Sequence, residues 1–250
     1  MSRTTYVLLP PSQSKEPGGR LTAPPGFFDE ALESPRAQVR RALAALLAHG
    51  SPEQISRVLK VRGPLLERAL EASRAIVEGN APVLPAWRRF NGVVWSHLDP
   101  ASLSQYQRHR ILVPSAPYGI SSATDAIADF RLTMNVGLGD LGNIASFWRP
   151  TVTDALNSLG NSRFVNFLPK EHSSAIGAGG SVVKRMVTVT FLRHDGLGVV
   201  GHDAKAVKGV LARLVLSHGV DAIDGFDWNG WRGTIRQSEY LVIAPPTTTL

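Results

Sequence analysis

The chain has 250 residues, 43% of them hydrophobic, which is enough for a sizeable core within one large domain. Its 27 basic and 20 acidic residues give a formal charge of +7, a balance that attracts polyanions. The absence of cysteine excludes a disulfide scaffold, a thiolate metal site and a cysteine nucleophile.

Tyr6–Leu9 reads as a short buried strand stopped by Pro10-Pro11. That stretch is too short for a signal-peptide core, and no run approaches the ~18 apolar residues of a membrane span. A cytoplasmic protein with no membrane partner is therefore expected. Residues 12–25 form a long loop rich in Pro, Gly and Ser, a feature that is often functional in compact domains. Three helices follow. Ser34-Pro35 reads as the N-cap and first turn of one, with Val39, Leu43, Leu46 and Leu47 on its buried face. Ser51-Pro52 with Gln54 signals a capping box for the second, and the third runs from Pro64 to Glu78. Ile111-Leu112-Val113 reads as a central strand, Phe147–Leu159 as a helix with Pro150 in its first turn, and Phe164–Leu168 as a strand. Met186–Leu192 alternates like a half-buried strand, with 196–200 as its hairpin partner. Tyr240–Ile243 is a terminal strand, and residues 245–250 a loose tail. With no internal repeat or linker, residues 1–250 are expected to form one α+β domain, a mixed β-sheet flanked by helices.

Ala204–Ser217 is a clear amphipathic helix with Val207, Val210, Leu211 and Leu214 on one side. Lys205 and Lys208 lie on the other, three residues apart, behind an Asp203 N-cap. A helix start with two nearby lysines suits a phosphate, although an ordinary solvated lysine face accounts for the same pattern.

Several short segments together resemble the YaaA (peroxide-stress) family. Tyr6–Lys15 (YVLLPPSQSK) is similar to the family's opening strand and Pro-Pro-Ser loop ending in Lys. Phe90-Asn91-Gly92, Ser115–Gly119 (SAPYG), Asp129–Met134 (DFRLTM), Phe147-Trp148, Asn166–Glu171 and His202–Gly209 (HDAKAVKG) resemble further family segments, in order along nearly the whole chain. The resemblance implies a single α+β domain with a basic cleft, and a role in limiting oxidative damage with DNA binding and lowered free intracellular iron. The chain departs from the family at Gln13, Ser14, Phe90, Asn91, Ser121, Ser122, Asn135, Pro169 and His172, mostly by losing hydroxyls or charges. Core and glycine positions are better kept, which suits a divergent paralogue with a retuned site.

On this basis Ser12, Lys15, Asn91, Tyr118, Arg131, His202, Lys205 and Lys208 are the expected contacts to nucleic acid or a nucleotide-like anion. The competing reading of Arg131 is a structural ion pair with Asp125 or Asp129. Glu171-His172 is a possible acid/base pair, with Glu171 the catalytic residue if the chain is instead an enzyme on a nucleoside, nucleotide or related molecule. Whether it turns over substrate is left open by the sequence. No cofactor or metal is expected: the seven histidines are scattered, and there is no Walker loop, Rossmann fingerprint or nucleophile elbow.

Overall fold

The computed structural model describes residues 3–196, 204–236 and 239–246. In chain order its elements are β1 (Thr5–Leu8), α1 (Asp29–His49), α2 (Pro52–Leu59), α3 (Pro64–Glu78), β2 (Val83–Pro85), α4 (Ala86–Arg89), α5 (Val93–Leu98), α6 (Gln105–His109) and β3 (Ile111–Ser115). They continue with β4 (Gly119–Ser122), β5 (Ala126–Ala128), α7 (Ile144–Asn157), β6 (Arg163–Asn166), α8 (Lys170–Ser173), α9 (Ser181–Lys184) and β7 (Met186–Leu192). The last are α10 (Ala204–His218), β8 (Asp227–Trp228), β9 (Trp231–Arg236) and β10 (Glu239–Ile243).

The strands form one mixed sheet in the order β4-β3-β1-β6-β7-β10-β9-β8, with a small β2-β5 sheet beside it. The five inner strands β3, β1, β6, β7 and β10 run parallel, and antiparallel strands close both edges. The architecture is α+β, as the sequence predicts.

Strand alternation sends side chains to both faces, and both are covered. Val7, Ile111, Val113, Val165 and Phe191 pack on one face with Trp95 of α5 and Val207, Leu211 and Val215 of α10. Tyr6, Leu8, Leu112 and Phe164 pack on the other with Leu32 and Val39 of α1 and Trp148 and Val152 of α7. The α5–α10 crossing is close enough to require glycine. A Cβ on Gly209 would lie 2.3 Å from the carbonyl oxygen of Val94.

Two helices start earlier than their prolines suggest. α1 begins at Asp29, so Pro35 is interior and Ser34 caps nothing. The Asp29 carboxylate accepts from Gly26 N (2.6 Å) and pairs with Arg36. Arg36, buried, donates to the carbonyls of Tyr118 (3.0 Å) and Ile120 (3.1 Å). These tertiary bonds hold the helix through a proline that costs ~3 kcal/mol in an isolated one. α7 likewise begins at Ile144, because the Asn143 side chain caps it by accepting from Ser146 N (3.1 Å), and Pro150 sits well inside. The capping box of α2 forms as expected, with Gln54 N to Ser51 Oγ at 3.3 Å and Ser51 N to Gln54 Oε1 at 2.8 Å.

β6 stops at Asn166, whose side chain accepts from Leu168 N (2.9 Å) and turns the chain out of the sheet. β7 has β6 and β10 as its neighbours, both parallel. Residues 197–200 of the expected hairpin partner at 196–200, the Asp203 cap and tail residues 247–250 lie outside the described residues.

Candidate functional site

Parallel strands all end at the same edge, and loops leaving that edge are where open sheets bind ligands. The loops after β1, β3 and β6 contribute Pro11 and Ser12, Ala116, and Glu171 and His172 to a cleft of about 250 Å³. Lys60 and Val61, after α2, form another side, and Phe130–Met134, after β5, the floor.

The loop at 12–25 has little regular structure of its own and is tied down by backbone pairing to β2 and Phe90, through Lys15↔Phe90 and Arg20↔Val83. Buried Arg89 completes the anchor. Its guanidinium donates to the carbonyls of Ile127 (3.2 Å), Gly18 (2.9 Å), Pro82 (2.8 Å) and Glu16. A charge buried this deeply is tolerated because its donors are satisfied.

Lys15 is held differently. It is 5% exposed, and its ammonium donates to Ser12 O (2.8 Å), lies 3.5 Å from Gln13 O, and stands 4.1 Å from the centre of the Phe130 ring. No carboxylate is within ion-pair distance of it among the described residues; Asp129 is paired with Arg68 at 3.1 Å. Burial lowers the Lys15 pKa to about 7; Asp129 opposes the shift, while Arg131, Arg89 and Arg68 add to it.

Arg131 donates to Gln13 O (2.8 Å). Neither Asp125 nor Asp129 is its partner, since Asp125 accepts from Phe27 N and Ser122 N. Lys60, in the left-handed conformation at the end of α2, donates to Asn135 Oδ1. In the same cleft, the His172 Nδ1 is buried without a hydrogen bond, and burial lowers the His172 pKa to about 4.

Of the residues expected from sequence, Ser12, Lys15, Arg131 and Glu171 therefore share this cleft. Asn91 stands beside it, donating to Glu16 Oε2 at 3.4 Å. The Tyr118 hydroxyl accepts from Ala128 N (2.9 Å), and the residue lines a separate hollow with Arg36 and Asp125. Lys205 and Lys208 are not among the cleft's walls. Lys205 is exposed, while the Lys208 ammonium lies 5.0 Å from the Phe191 ring centre, its pKa lowered by burial and by Lys205. His202 lies outside the described residues. Lys60 and Arg89 were missed. A left-handed lysine ending a helix carries no sequence signal, and the arginine's importance depends on carbonyls brought from three separate segments.

The motif order along the chain has a direct counterpart among known proteins. The family described as peroxide stress protein YaaA matches residues 6–234. The chain belongs to the YaaA family. Curated relatives include a UPF0246 protein of Streptomyces coelicolor, 30% identical over 220 residues, covering 85% of this chain and 83% of the relative. A UPF0246 protein of Corynebacterium glutamicum is 30% identical over 218 residues, covering 84% of each chain, and one of Idiomarina loihiensis is 28% identical over 201 residues, covering 72% and 76%. YaaA-family membership thus spans both the loop that carries Lys15 and the segment that carries Arg131. Among the described residues no helix is long and apolar enough to cross a membrane, and no group of His, Asp or Glu is arranged to hold a metal ion.

Proposed function

We propose that this YaaA-family chain is a cytoplasmic peroxide-stress protein whose cleft holds a phosphate group of nucleic acid or of a nucleotide. The observation that carries the reading is the convergence of Lys15, Lys60 and Arg131, from three distant parts of the chain, around one cleft with Glu171 as the only carboxylate in its walls among the described residues. Arginine grips phosphate through paired donors and lysine adds point charge. The net charge of +7 favours the same class of partner.

The reading is tested by titrating the protein with a short DNA duplex, a single strand and a nucleoside monophosphate across a salt series. Affinity for the nucleic acids is expected to fall steeply with salt, because phosphate contacts release condensed counterions. The double variant Lys60→Ala/Arg131→Ala is expected to weaken every phosphate ligand by about tenfold or more, at about 1.4 kcal/mol per factor of ten. A flat salt response removes the nucleic-acid reading; unchanged affinity in the variant removes the cleft.

The presence of Glu171 in the same cleft as Lys15 favours a second reading, an enzyme on a nucleoside or nucleotide with Glu171 as its acid/base. Turnover lost in a folded Glu171→Gln variant supports it, and turnover kept refutes that assignment.

A further inference from the structure

Two of the three cleft cations are enough to hold a phosphate. Lys60 is exposed and Arg131 half-buried, so both meet an anion from water at little desolvation cost. Lys15 is unlike them. Its amine is recessed, flanked by the Phe130 and Phe90 rings at 4.1 and 5.9 Å, and no carboxylate pairs with it. It is the only buried lysine among the described residues. An amine stripped of water next to other cations gives up its proton readily and is well placed as a nucleophile. Its lowered pKa, about 7, is consistent with this, because it leaves a substantial neutral fraction at neutral pH. The same cleft is lined by Glu171 and by His172, whose burial keeps it uncharged.

We infer that Lys15 forms an imine with the carbonyl carbon of a phosphorylated aldehyde or ketone bound in this cleft. The inference rests on the cleft taking a phosphate-bearing ligand. In the first step the Lys15 nitrogen lone pair makes a C–N bond while the carbonyl π pair moves to oxygen. A proton passes from nitrogen to that oxygen through solvent, giving a neutral carbinolamine. A hydronium ion or buffer acid then protonates the hydroxyl, and H₂O leaves as the nitrogen lone pair forms C=N⁺. Amine, carbonyl and one proton thus become iminium and water, with no oxidant or reductant. Arg131 and Lys60 hold the phosphate. A free sugar phosphate and the ring-opened sugar of a baseless nucleotide in DNA present the same aldehyde and phosphate.

The full-length protein is incubated at neutral pH with 2-deoxyribose 5-phosphate and sodium cyanoborohydride, which reduces the imine to a stable secondary amine. Intact mass and peptide mapping then locate the adduct. Labelling at Lys15 is expected to exceed that at exposed Lys184 by roughly tenfold or more, as a lower pKa enriches the neutral amine. It should be suppressed by excess inorganic phosphate and fall when propanal replaces the sugar phosphate. A parallel arm with an oligonucleotide carrying an abasic site distinguishes the two sources by whether a protein–DNA adduct forms. Lys15→Arg keeps the cation and should lose the adduct while retaining the rise in melting temperature on adding the sugar phosphate. Labelling spread over exposed lysines without excess at Lys15 overturns the imine, and the wild-type map decides this whatever the stability of the variant. A melting-temperature rise without adduct refutes the imine and leaves phosphate binding standing; neither rise nor adduct removes both.

Discussion

Lys15 and Arg89 are neighbouring buried cations with opposite degrees of satisfaction. Arg89 donates to four backbone carbonyls, whereas Lys15 has one firm bond, to Ser12 O. The first therefore anchors the loop, and the second is free to respond to a ligand. Protonated Lys15 attracts an anion and neutral Lys15 does not. The dissociation constant of sulfate, whose charge is constant in this range, should therefore rise as pH climbs from about 6 to about 9 through the Lys15 transition near 7. The charged groups facing Lys15 are Asp129, Arg131, Arg89 and Arg68, and Glu171 lines the same cleft. Calorimetric titrations at several pH values check this; a flat profile would mean that Lys15 does not contact the anion. The same shift sets a stability trend. Lys15 binds fewer protons folded than unfolded between about 7 and its ordinary value of 10.5, so this group makes the protein more stable as pH rises across that window.

The elements were legible in the sequence wherever their signals were local. The capping box at Ser51–Gln54 and the proline start of α3 involve residues within one turn, and both formed where expected. Pro35 and Pro150 misled because a proline marks a helix start only when nothing beyond the helix holds the preceding turn. At Pro35 that hold is Arg36 on the carbonyls of Tyr118 and Ile120, more than eighty residues away. The cleft was legible in part for the same reason. Its Lys15 and Arg131 came from the family resemblance, but Lys60 joins them only through the packing of α2 and its following turn beside Phe130–Met134. The α5–α10 contact gives a sharp test at this scale. Gly209→Ala places a methyl 2.3 Å from Val94 O and 2.8 Å from Leu98 N, both backbone atoms. The helices must separate, at about 1–3 kcal/mol by denaturant melting, whereas an ordinary open helical site would gain from alanine.

At the scale of the whole molecule, the apolar runs mark β1, β3, β6, β7 and β10, whereas β2, β4, β5, β8 and β9 were not read from the sequence, and strand order does not follow from the runs either. β1 lies between β3 and β6, with Val7 opposite both Ile111 and Val165. That order depends on crossovers joining segments far apart in the chain, which leave no periodic trace in the residues they connect.

The central place of β1 also bears on synthesis. The earliest of the described strands is seated between β3 and β6, and Thr5 finds its neighbour only at Arg163. Until residues 163–166 have emerged, Tyr6, Val7 and Leu8 have one bare flank, so the nascent chain must defer its core and relies on protection from aggregation meanwhile. A chain ending before β6 should accordingly be insoluble or chaperone-bound on expression, whereas one ending after residue 166 regains both partners for its opening strand.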